Sequence, residues 1–149
     1  MTGPGDEAVV RRVLPVAPEV AYDEWLDPDG MLEWMCPHPA RPLRIRLDAS
    51  IGGQFVIDFE DGGVEATIAG RYIELDRPRR LRFTWSCSTW PDPDHASEVT
   101  VTLDGRADGT TLMTIRHLRL PSGLAEGHLH GWEAIGEQLA QRLALSAQP

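Results

Sequence analysis

The chain has 149 residues and 16.5 kDa, and its 14 basic residues against 23 acidic ones give a net charge of −9 and a pI near 4.9. Such a balance repels a phosphate backbone or an anionic lipid surface, so neither nucleic acid nor membrane is an expected partner. Every basic residue is arginine, and neither lysine nor asparagine occurs, which removes Schiff-base chemistry, a P-loop and N-glycosylation.

At 42 % hydrophobic the chain is long enough to bury a core, and one domain is expected over about residues 7–145, with frayed ends at 1–6 and 146–149. No apolar run approaches the roughly 18 residues of a membrane span, and MTGPGDEAVVRR does not read as a signal peptide. A cytoplasmic location is the resulting expectation. Cys36 and Cys87 are far apart and form no CxxC, so they read as small buried hydrophobes rather than a disulfide or zinc framework.

Ala8 to Val16 reads as a strand, and Pro18 opens a short helix through about Leu26. Asp27-Pro28-Asp29-Gly30 reads as a break, with a second short helix on Met31 to Met35. A stiff, proline-set connection, Cys36 to Pro42, follows. The period then becomes two. Leu43, Ile45 and Leu47 alternate with arginines, and Phe55, Ile57 and Phe59 alternate with more polar positions. Asp61-Gly62-Gly63 makes a hairpin turn into a long strand, Val64 to Leu75, with a bend expected at Gly70. Leu81, Phe83, Trp85 and Cys87 share one face of the next strand. After them a Pro/Asp loop carries Trp90, read as exposed. Val99, Val101 and Leu103, then Thr111, Met113, Ile115 and His117, complete an antiparallel meander of six strands. Trp132, Ile135, Gly136, Leu139 and Leu143 follow a helical stripe about 20 residues long. One strand, two short helices, six strands and a long helix make an α+β fold.

The chemistry-bearing residues are few. There is no GxSxG, HExxH or Gly-rich phosphate loop. His117 shares the inward face of Met113 and Ile115, where it is either a core histidine or a general base near neutral pH. It is the one catalytic candidate. His128 and His130 form an HxH whose side chains diverge by about 200° on a helix, so no metal site is expected. Cys36 and His38 lack a third orienting group, and Asp58, Glu60 and Glu65 read as a solvated hairpin face. The arginines 77, 79, 80 and 82 are bounded by Glu74 and Asp76, which blunts them as an anion patch.

Several stretches, taken in order, resemble the activator of heat-shock-protein-90 ATPase homologue family, within the START/Bet v 1-like (SRPBCC) superfamily. They are Asp27-Pro28 with Trp34; Asp48, Gly52-Gly53 and Phe55; and Gly70 to Leu75. Pro78 with Leu81 to Trp85, Thr111 to His117, and His128-Leu129-His130-Gly131-Trp132 continue the match. Ser50 and Glu24-Trp25 depart from it, standing where an arginine and an alanine–aliphatic pair are commoner.

The resemblance implies a helix-grip fold, in which a curved antiparallel sheet wraps a long C-terminal helix and leaves a cavity for an apolar ligand. A small apolar or aromatic ligand is therefore the expected partner, with no cofactor. The expected cavity residues are Trp34, Phe55, Ile57, Phe83, Trp85, Met113, Ile115, His117, Trp132 and Gly136, where the glycine leaves room on the helix. A solid core is the alternative for these residues. A polyketide cyclase/aromatase using His117 and a co-chaperone domain stand as alternative functions, and the sequence is compatible with a homodimer.

Overall fold

A computed structural model describes residues 6–146, so residues 1–5 and 147–149 of the expected frayed ends lie outside the described residues. The elements are β1 (Ala8–Leu14), α1 (Pro18–Glu24), α2 (Pro28–Met31), β2 (Arg41–Leu47), β3 (Gln54–Asp61), β4 (Val64–Asp76), β5 (Arg80–Cys87), β6 (Ser97–Gly105), β7 (Thr111–Leu118) and α3 (Ala125–Ser146). The seven strands form one antiparallel sheet in the order β1-β7-β6-β5-β4-β3-β2, curved around α3 as a helix-grip fold. The meander runs in chain order, and β1 closes its far side by pairing with β7, Val10 opposite Ile115.

Local chemistry accounts for most boundaries. Pro18 stands at the start of α1, where its missing N–H is not needed. Pro28 does the same for α2, so the Asp27–Gly30 segment starts a helix instead of breaking one. The second helix accordingly lies ahead of the expected Met31–Met35, of which only Met31 is helical, as the last residue of α2, and Leu32 to Trp34 form turns. Gly62 and Gly63, at φ +61° and +86°, form the two-residue hairpin between Asp61 and Val64 that only such residues adopt readily.

Two features of β2 and β4 depart from strict alternation. The β2–β3 register shifts between Pro42 and Arg44, which leaves Leu43 exposed while Ile45 stays buried. In β4 the shift falls between Tyr72 and Glu74, past the expected bend at Gly70. Gly70 serves a different purpose. An added Cβ would collide with the Thr84 carbonyl oxygen and lie 2.7 Å from the Phe55 ring, so glycine lets β5 and Phe55 close over β4.

The arginine cluster faces carboxylates throughout. Arg77 lies 2.9 Å from Asp23, Arg79 3.5 Å from Asp76, Arg80 3.3 Å from Glu74, and Arg82 3.3 Å from Glu98. Arg77 holds the Asp23 carboxyl below its usual range. Among the described residues, no helix is long and apolar enough to cross a membrane.

Candidate functional site

The concave face of the sheet and α3 enclose two regions of different character. The centre is solid. Trp25, just after α1, lies 5.0 Å from Trp34 and 6.3 Å from both Phe83 and Trp132, ring centre to ring centre. Met113 and Ile115 are fully buried beneath them. Only a void of about 20 Å³ persists there, lined by Trp25, Met31, Met35, Phe55, Ile57, Tyr72, Phe83 and Trp85. The indole N–H of Trp25 has no acceptor among the described residues.

Toward the N-terminal half of α3 the packing opens into a cavity of about 420 Å³. That volume falls in the range of about 300–1,000 Å³ typical of small-molecule sites. Its inner walls are Met35, Ile68, Trp85, Cys87, Trp132 and Ile135, all buried. Exposed Asp61, Thr89, Pro91, Gly123 and Gly127 mark its mouth. Trp90 is not an exposed loop residue, as its Pro/Asp setting suggests, but a buried wall. Its ring lies 5.8 Å from His128 and 5.9 Å from His95. His95 fixes that loop by donating Nε2–H to the Arg119 carbonyl at 2.7 Å.

Of the expected cavity residues, Trp85 and Trp132 line this space. Phe55, Ile57 and Phe83 line only the small void, and Trp34, Met113, Ile115, His117 and Gly136 line neither. Gly136 does not open room for a ligand. It sits where α3 packs on β1, and an added Cβ would make only ordinary contact there, 3.7 Å from Arg12 and 3.8 Å from the Met113 methyl.

His117 is fully buried, and its hydrogen bonds assign its protons. Trp132 Nε1–H donates to His117 Nδ1 at 3.0 Å. His117 Nε2 therefore carries the proton and donates to Ser97 Oγ at 2.7 Å, whose hydroxyl donates to the Trp85 carbonyl at 2.6 Å. Burial, followed by the neighbouring His128 ring, pushes its pKa down to about 2. This is a neutral, fully partnered ring that fixes two tryptophans of the cavity wall. His128, one helical turn before Trp132, does reach the cavity. Its Nδ1–H donates to the Leu124 carbonyl at 2.9 Å, which leaves Nε2 as an acceptor, and burial lowers its pKa. Burial and then the charge of Asp61 push the Cys36 thiol up to about 12, which makes it a poor nucleophile. No group of three or more His, Cys, Asp or Glu that could hold a metal exists among the described residues.

Two supports carry no sequence periodicity. Gln138 on α3 donates to the carbonyls of Trp34, at 3.1 Å, and Cys36, at 2.8 Å, and accepts from the His38 amide at 2.9 Å. It thereby pins the Met35–Pro37 wall to the helix. Glu24 accepts from Trp34 Nε1 at 3.0 Å and pairs with Arg142, which also reaches Glu33.

A family model, activator of Hsp90 ATPase homolog 1-like protein, matches residues 15–144. The chain belongs to that family. Solved structures agree with the assignment. A Chromobacterium violaceum protein is 27 % identical, with 93 % of this chain and 96 % of that one covered and a TM-score of 0.82. An HSP90 activator from Plasmodium falciparum shares the fold at 19 % identity, with coverage of 93 % and 96 % and a TM-score of 0.76. DynU16, from the dynemicin biosynthetic locus, shares it at 21 % identity and a TM-score of 0.76, over 95 % of this chain and 48 % of that one. A search of curated protein sequences finds no match.

Proposed function

We propose that this family member binds a small apolar or aromatic molecule in the cavity between the sheet and the N-terminal half of α3. The observation that carries this reading is the bare helix face at the cavity. A Cβ added at Gly127 would meet nothing within 4 Å, and one at Gly131 would make only ordinary contact with Pro37, at 3.7 Å. Packing demands neither glycine, yet Gly131 costs the helix interior about 1 kcal/mol relative to alanine, and Gly127, in the first turn, leaves the mouth bare. Stability is forgone where side chains would fill the space, as expected of a site that keeps room for a ligand.

The cyclase alternative finds no base in His117, which is walled off behind Trp85 and Trp132. It would have to use His128, whose lowered pKa makes it a weaker base than free imidazole. The co-chaperone alternative rests on likeness of fold to the Plasmodium activator.

Filling the cavity tests the reading. Gly127→Phe is expected to leave thermal stability within about 1 kcal/mol of the parent, since the helix gains a better former and the first atom of the new side chain meets nothing within 4 Å at this exposed position. The same variant should weaken binding of the fluorescent dye N-phenyl-1-naphthylamine at least about tenfold. A stable variant that binds the dye as well as the parent would overturn the site.

A further inference from the structure

We propose that the cavity selects by charge, taking an apolar or aromatic molecule that carries a protonated amine and rejecting its carboxylate counterpart, with Asp61 as the selecting residue. This rests on the binding function proposed above and names the ligand class of that same cavity.

Among the described residues, Asp61 is the one charged side chain that lines the cavity, and none of the chain's 14 arginines lines it. Its carboxylate stands at the mouth, at the end of β3, where it makes no hydrogen bond or ion pair among the described residues. Its field reaches inward far enough to contribute to the raised Cys36 thiol. His128 adds a second acceptor, because its one ring proton is committed to the Leu124 carbonyl and Nε2 offers a lone pair. The walls favour the same ligand charge. Trp85 and Trp132, whose ring centres lie 5.1 Å apart, line the cavity together with Trp90, and aromatic faces attract cations. A carboxylate entering the same space meets a like charge, a lone pair and ring faces of the same sign, with no cation to receive it.

Matched naphthalenes that differ only in their head group test this by displacing N-phenyl-1-naphthylamine at pH 7. 2-Naphthylmethylamine is expected to displace the dye at a concentration at least about tenfold below that of 2-naphthoate, with the neutral 2-naphthylmethanol between them. In Asp61→Asn the ratio of amine to carboxylate should fall at least about fivefold, to the smaller preference that His128 and the aromatic walls retain, while the alcohol is unaffected. Glu65→Gln removes the same charge from the neighbouring strand, outside the cavity, and should keep the parent ratio. Equal or better binding of the carboxylate by the parent, or a preference undiminished in Asp61→Asn, overturns the inference. So does a preference lost equally in Glu65→Gln, because the overall negative charge would then be its source. The two readings fail separately. No dye binding to the parent removes the cavity function itself. Dye binding that Gly127→Phe abolishes, without a charge preference, removes only the role of Asp61.

Discussion

Replacing Trp132 by alanine is expected to remove about 3–5 kcal/mol of folding stability, toward the upper end of that range. The indole is 2 % exposed and packs at a tilt 5.1 Å from Trp85 and 6.3 Å from Trp25, so its loss leaves a hole bounded on several sides by rigid rings. The neighbours cannot collapse into it without moving β5. Truncation also strands His117 Nδ1, a fully buried acceptor whose one donor is the Trp132 N–H, at about 1–3 kcal/mol. Trp132→Phe separates the two contributions. It keeps most of the ring contacts and loses the hydrogen bond, for an expected cost of about 1–2 kcal/mol. Urea denaturation of both variants provides the measurement. A loss below about 1 kcal/mol for the alanine variant would mean that α3 presents a different face to the sheet.

That helix register was legible in the sequence because Trp132, Ile135, Leu139 and Leu143 repeat on one face, and all four are buried. The inward face of β7 was legible for the same reason, since Thr111, Met113, Ile115 and His117 alternate and are all buried. What periodicity cannot carry is what fills the space between two apolar faces. Two tryptophans from the segment after β1, Trp25 and Trp34, occupy the centre of the grip, and their placement depends on Glu24, Gln138 and Arg142 reaching across roughly 100 residues of chain. Those tryptophans turn Met113 and Ile115 into solid core and displace the open space toward Gly127. Trp90 was misread for a related reason. Its loop is polar in composition, yet a single indole folds inward against His128, a contact that no local pattern records. Leu43 fits the alternating pattern but sits at a register shift, which turns it outward. The family resemblance supplied the grip itself, and the position of the cavity came from packing.

The buried histidine makes acid the second large perturbation, and its direction follows from proton counting. In the unfolded chain His117 titrates near its ordinary 6.5, whereas in the folded protein burial holds it down to about 2. Below about pH 6.5 the unfolded state therefore binds a proton that the folded state refuses, so stability is intact above 6.5 and falls as the pH drops. The slope contributed by this ring approaches ~1.4 kcal/mol per pH unit, which accumulates to about 3 kcal/mol by pH 4. His128, whose ring centre lies 5.2 Å away and whose pKa is also lowered, acts in the same direction. The other contacts of His117, with Trp85, Trp132 and Ser97, are to groups that do not titrate in this range. His117→Gln isolates its share. The amide can still accept from Trp132 and donate to Ser97 but takes up no proton, so the variant should be about 1–2 kcal/mol less stable at pH 7.5. Its acid limb should be flatter than the parent's, so that the deficit closes and reverses between about pH 6 and 4. Urea midpoints measured across that interval test this directly. Parallel profiles for parent and variant would mean that His117 takes up its proton in the folded state, which would return a charged imidazole to the wall behind Trp132.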